Sequence, residues 1–144
     1  MENQAGRYMA FDYGNKRIGV AVTDPLQIFA TALDTIHPNS IIEFIQTYIQ
    51  KENTIGFIVG KPLQMNNEPS EISPHVEGFI RSLKKNFPNI PIYRIDERFT
   101  SIMASRTILE MGIKKMKRQE KAPVDRISAT LILQSFLENK SRYI

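Results

Sequence analysis

The chain has 144 residues, a formal net charge of +4, 42% hydrophobic and 24% charged residues, and no cysteine. One domain of that length buries about two-thirds of the surface its unfolded form exposes, while the lack of cysteine excludes disulfides, thiolate zinc centres and cysteine nucleophiles and leaves a metal only oxygen donors or His37 and His75. No apolar run approaches the roughly 18 to 20 residues of a membrane span and the start "MENQAG" is polar, so a soluble, cytoplasmic protein is expected.

Residues 7–13 and 17–23 read as two strands joined by a tight turn through "GNK", with Gly14 available for positive φ. Asp24-Pro25 marks a further turn, and "IFATALDTI" a third strand. Asn39 or Ser40 then caps a helix with apolar positions Ile41, Phe44, Ile45, Tyr48 and Ile49. "TIGFIVG" is a short apolar run of the kind buried on both faces of a sheet. Residues 61–73 form a polar, proline-containing loop before a helix over 74–86, and "IPIYRIDE" is the fifth strand. A helix over 101–111, a basic segment and a last helix over 123–138, with Pro123 in its first turn, complete the chain. Three hairpin-connected strands followed by helix-linked strands predict an α/β fold with a mixed sheet. A single domain over 1–144 is expected, with 1–6 flexible and 113–122 a mobile basic loop.

Five aspartates occur: Asp12, Asp24, Asp34, Asp96 and Asp125. A turn accounts for Asp24, and an edge or loop position for Asp34. Asp12 ends the first strand just before Gly14, where aspartate often accepts backbone N–H bonds. Asp96 and Glu97 are adjacent on a strand and so face opposite sides, leaving only one able to enter a given site. For Asp125 the alternative to a site is a favourable charge in the first turn of a helix. Taken together, carboxylates gathered around a first-strand aspartate suit a hard cation with oxygen ligands, and two such ions can hydrolyse a phosphodiester. Glycine beside Asp12 would let a phosphate backbone approach.

The chain resembles the YqgF family, described as Holliday junction resolvases and as nucleases of pre-16S ribosomal RNA, within the ribonuclease-H-like superfamily. The resemblance covers nearly the whole chain. It rests on "FDYGNKRIGVAVTD", "IVGKPLQMN" at 58–66, "DERFTS" at 96–101 and "VDRISATLILQSFL" at 124–137, in that order. It implies a ribonuclease-H-like fold, a mixed five-stranded sheet with helices on both faces. It also implies a nuclease using Mg2+ or Mn2+, with Asp12, Glu97 and Asp125 as catalytic residues and metal ligands; Asp96 is the reserve for Glu97. The segment "QMNNEPSE" is less glycine-rich than is usual at that place in the family.

Around this acidic set, Gly14, Lys16, Arg17, Lys61 and Arg98 are candidates for substrate contact, arginine being suited to bidentate phosphate binding. Hairpin solvation, a loop exit or a partner for the neighbouring acids would equally account for them. "KKMKRQEK" holds five positive residues against Glu120, so Lys114, Lys115, Lys117 and Arg118 either grip a nucleic-acid backbone or belong to a solvated linker. Thr100 and Ser101 read as helix caps. The expected partner is pre-ribosomal RNA or branched DNA, with ribosomal particles a further one, and the chain a monomer or a homodimer. Actin-like ATPases also begin with a strand, Asp-x-Gly and a hairpin, but they require a second domain. The main alternative function is a non-catalytic module that binds ribosomal RNA during ribosome assembly.

Overall fold

Two apolar strands, β1 (Arg7–Tyr13) and β2 (Ile18–Thr23), pair antiparallel and open the fold. The structure, a computed structural model, describes residues 6–14, 16–61, 72–96 and 121–143, with the backbone alone for 121–127 and 142. β2 pairs antiparallel with β3 (Ala30–Ile36), and β1 pairs parallel with β4 (Thr54–Lys61), which pairs parallel with β5 (Ile92–Asp96). The sheet order is β3-β2-β1-β4-β5, the mixed five-stranded sheet expected. Helix α1 (Ile41–Lys51) joins β3 to β4, and α2 (Ser73–Asn86) lies between β4 and β5. Helix α3 (Lys121–Glu138) is followed by a short helix, α4 (Lys140–Tyr143).

The central strands are apolar on both faces because both faces are covered. On one face Met9, Phe11, Val20, Phe57 and Val59 pack under Ile45 of α1 and Phe79 and Leu83 of α2. On the other, Tyr8, Ala10, Ala21, Ile58 and Ile95 pack under Ala129, Ile132, Leu133 and Phe136 of α3. The small residues Ala10 and Ala21 let that helix lie close to the sheet. Gly56 serves the same face: a Cβ there would stand 2.7 Å from the Tyr8 ring.

Several boundaries differ from the sequence reading. β3 starts at Ala30 rather than Ile28, since the Asp24 carboxylate takes the Ile28 and Phe29 N–H groups at 2.9 and 2.7 Å. Ser40 stands at the N-cap of α1 without a side-chain cap bond; a 3₁₀ turn, Pro38–Ser40, precedes it, and His37 Nδ1 accepts from the Asn39 N–H at 3.0 Å. Gly14 does not adopt positive φ. Glycine is needed there because a Cβ would stand 2.9 Å from the Arg17 carbonyl oxygen. α3 begins at Lys121, which puts Lys121 and Ala122 in the helix rather than in the basic loop. Pro123 as its third residue breaks no bond, since the first-turn N–H groups have no intrahelical acceptor. Of the six N-terminal residues, Gly6 is buried and donates to the Pro25 carbonyl at 3.3 Å. The expected helix over 101–111, residues 1–5 and most of 61–73 and 113–122 lie outside the described residues.

Candidate active site

Asp12 is the sixth residue of β1, at the carboxyl end of the strand, and it is half-buried. Alternation along the strand puts it on the face of Tyr8 and Ala10, the face that α3 covers. Its partner on β2 is Gly19. On the other flank Phe11 pairs with Val59, and continuing that register by one residue sets Gly60 beside Asp12. The carboxylate thus has a glycine on each neighbouring strand, and no adjacent side chain walls it off across the sheet. Gly19 and Gly60 were not singled out for this in the sequence; their signal is a glycine inside an otherwise apolar strand, which marks a close approach.

The direction of α3 follows from its far end. Phe136 packs against Tyr8 with ring centroids 4.9 Å apart and against Tyr93 at 5.2 Å, at the starts of β1 and β5. Lys140 reaches Gln27 Oε1 at 2.6 Å, at that same edge of the sheet. Ser128 and Ala129 are buried, so the helix lies along the sheet and runs antiparallel to β1. From Phe136 back to Asp125 is eleven residues, roughly 16 Å at 1.5 Å per residue. From Tyr8 to Asp12 is four residues, roughly 13 Å of strand. The Asp125 backbone is therefore level with Asp12, and position 125 falls on the helical stripe of Ala129, Ile132 and Phe136. It is the fifth residue of α3, two residues further in than expected, and the first turn of that helix holds no acidic residue.

Asp96 closes β5 and pairs with Lys61 of β4. Arg94, two residues earlier, bonds Glu77 of α2 at 3.1 Å, whereas Ile95 packs under α3. Alternation thus assigns Asp96 to the face opposite Asp12. Lys16 is exposed and Arg17 half-buried in the hairpin turn, where the Gly14 N–H donates to the Arg17 carbonyl at 3.0 Å, and Lys61 is exposed at the end of β4. The sheet thus brings Asp12, Gly14, Lys16, Arg17 and Lys61 to one edge. Glu97, Arg98, Thr100, Ser101, Lys114, Lys115, Lys117 and Arg118 lie outside the described residues, as does the Asp125 side chain. Among the described residues no three His, Asp or Glu side chains gather closely enough to hold a metal ion, and Asp12 is the one expected ligand whose side chain is described. An oxygen donor flanked by glycines fits a hard cation.

Asp24 has a structural part instead. Its carboxylate accepts from Phe29, Ile28 and Leu26 N–H groups, and these bonds, the one from Phe29 foremost, hold its carboxyl below the usual range. No helix among the described residues is long and apolar enough to cross a membrane.

A family model described as "RuvX: Holliday junction resolvase" matches residues 6–139. A Bacteroides fragilis protein named "Putative pre-16S rRNA nuclease" is 52% identical over 134 residues, covering 93% of this chain and 97% of the relative. A Porphyromonas gingivalis protein of the same name is 50% identical over 137 residues, covering 95% and 99%. Among solved structures, one described as "T. thermophilus RuvC in complex with Holliday junction substrate" matches with a TM-score of 0.55 at 12% identity, covering 93% of this chain and 96% of that one. At that identity the match shows a shared fold.

Proposed function

Since the chain belongs to the RuvX family, the YqgF family that its motifs resemble, we propose that it is a divalent-metal-dependent nuclease that hydrolyses phosphodiester bonds in the 5′ maturation of pre-16S ribosomal RNA or in Holliday junctions. The observation that carries this reading is Asp12 at the carboxyl end of β1, between Gly19 and Gly60 and level with position 125 of α3. Asp12, Glu97 and Asp125 would hold Mg2+ or Mn2+. Such an ion, when bound, supplies an activated water and charge stabilisation for the departing oxygen. The chain's own contribution is position: the sheet fixes Asp12, the glycines admit the backbone of the substrate, and α3 carries Asp125 to the same level.

Gly14, Lys16, Arg17, Lys61 and Arg98 would contact the substrate phosphates, and Lys114, Lys115, Lys117 and Arg118 would add sequence-independent affinity for the same backbone. The names of the relatives favour ribosomal RNA as the substrate, and with it a cytoplasmic place of work. Labelled pre-16S RNA and a four-way DNA junction, incubated side by side with Mg2+ or Mn2+, test the reading against an Asp12→Asn control. Cleavage of either that disappears in EDTA and in the variant is the expected result. Binding without metal-dependent cleavage of either would instead favour the assembly-module alternative.

A further inference from the structure

The carboxyl edge of the sheet carries a second feature, on the face opposite Asp12. Tyr13 follows Asp12 in β1 and turns to the α1 and α2 side, where its ring lies 5.3 Å from that of Phe79. β3 runs parallel to β1 and ends level with it, Ile36 beside Ile18 and Ile18 beside Tyr13, so α1 and α2 both start at this edge. Between their first turns is a groove of about 320 Å³. Its walls include Tyr13, Pro38, Pro74, His75 and Phe79, with Gly78 and Ser82 along α2. Two aromatic rings, an imidazole and two proline rings give it flat walls of mixed polar and apolar character. The volume is at the lower end for ligand pockets, roughly 300 to 1,000 Å³, a size that suits one ring system.

Gly78 is the second sign. It lies in the interior of an α-helix, where glycine is about 1 kcal/mol less favourable than alanine. Among the described residues no crowding requires it, because an added Cβ would meet only the far end of Arg81, at 3.6 Å from Nη2. The glycine lines the groove, and the Arg81 guanidinium stands beside it. Of the nearby acids, Glu77 is paired with Arg94, and Glu43 lies exposed on α1.

We infer that this groove is a nucleobase pocket, taking an unpaired base of the substrate strand while Arg81 meets an adjoining phosphate. A strand draped over the sheet edge would present a phosphodiester to Asp12 on one side and a base to Tyr13 on the other. A base held in a duplex cannot enter, so the pocket selects single-stranded or extruded nucleotides. The inference rests on the nuclease reading above and deepens it.

The test is fluorescence anisotropy with the Asp12→Asn protein and a labelled single-stranded RNA, beside a series carrying one abasic residue at each position in turn. In the protein with an intact groove, one position should lose about tenfold in affinity when its base is removed, as expected for a single stacked base. Adding Gly78→Leu, which fills the groove, should weaken the intact strand by a similar factor and make the abasic series flat; thermal melts establish that the variant is folded. A flat abasic series before the groove is filled overturns the pocket, as does a positional loss that Gly78→Leu leaves unchanged. If metal-dependent cleavage by the wild type persists beside either result, the pocket alone falls; if the wild type neither binds nor cleaves nucleic acid, the nuclease reading falls with it.

Discussion

Tyr8 and Phe136 meet edge to face, ring centroids 4.9 Å apart, and this contact fixes the C-terminal half of α3 over the start of β1. Phe136 is fully buried and touches Tyr93 and Tyr143 as well. Replacing it by alanine removes all three ring contacts and leaves a cavity under the helix. Phe136→Ala should cost about 3 to 5 kcal/mol of unfolding free energy, measured by urea denaturation. A loss below about 1 kcal/mol would mean that α3 is held elsewhere.

The Tyr8 ring also crowds Gly56 in its strand. A Cβ at position 56 would stand 2.7 Å from both Cδ1 and Cε1 of Tyr8, and Tyr8 cannot retreat because Phe136 lies beyond it. Gly56→Ala should therefore destabilise by about 1 to 3 kcal/mol, the range for overpacking a filled core. The double variant with Tyr8→Leu should recover part of that loss in the same urea titration.

These contacts also mark what a linear reading could and could not supply. The strands were legible because β1, β2 and β4 are apolar runs and β3 and β5 are rich in branched and aromatic residues between turn signals, and "TIGFIVG" announced burial on both faces. The cap of the 3₁₀ turn was not, because His37 supplies it through Nδ1 while the expected Ser40 makes no cap bond. At Gly14 the residue was noted but the reason was not: the approach of the Arg17 carbonyl is a contact across the turn, invisible in local propensity. Asp12 could be singled out from its place at a strand end. Its flanking Gly19 and Gly60 required the register of three strands, which only pairing defines.

Asp24 gives a pH dependence with a definite sign. Its folded-state carboxyl lies below the ordinary 3.8, chiefly because the Phe29 N–H bonds the ionised form. A depressed folded value contributes stability that is complete above the unfolded pKa and is lost as pH falls through the folded one. Asp24→Asn should thus be less stable than wild type at neutral pH, with the gap closing below about pH 3.8. Denaturation of the pair between pH 2 and 7 measures it; a gap independent of pH would show that the hydrogen bonds, not the charge, are what matters.

Strand alternation at Asp96 bears on the choice between Asp96 and Glu97. Asp96 shares the face of Arg94, opposite Asp12, so a site built on Asp12 should draw on the other candidate, Glu97, instead. Glu97→Gln and Asp12→Asn should each lower metal-dependent cleavage by more than about 100-fold, beyond the 10- to 100-fold loss of a residue that only supports a ligand. Asp96→Asn should stay near the wild-type rate. The reverse pattern in single-turnover assays would exchange the two residues in the proposed site.

Asp125 can be tested without any substrate. Its position inside α3 argues against a part in offsetting the helix dipole, which acts within the first turn, and argues for a place opposite Asp12. If Asp12, Glu97 and Asp125 share a cation, they hold like charges near one another when it is absent, and removing one relieves that repulsion. The cation itself binds only the folded chain and stabilises it by mass action, about 2.7 kcal/mol when present at a hundred times its Kd. Asp125→Asn should therefore melt no lower than wild type in EDTA at neutral pH, yet lose most of the upward shift in Tm that millimolar Mg2+ or Mn2+ gives the wild type. A structural carboxylate would behave in the opposite way, lowering Tm with or without metal while leaving the metal-induced shift whole. Melts of both proteins under both conditions decide between them, and a full shift in the variant would remove Asp125 from the site.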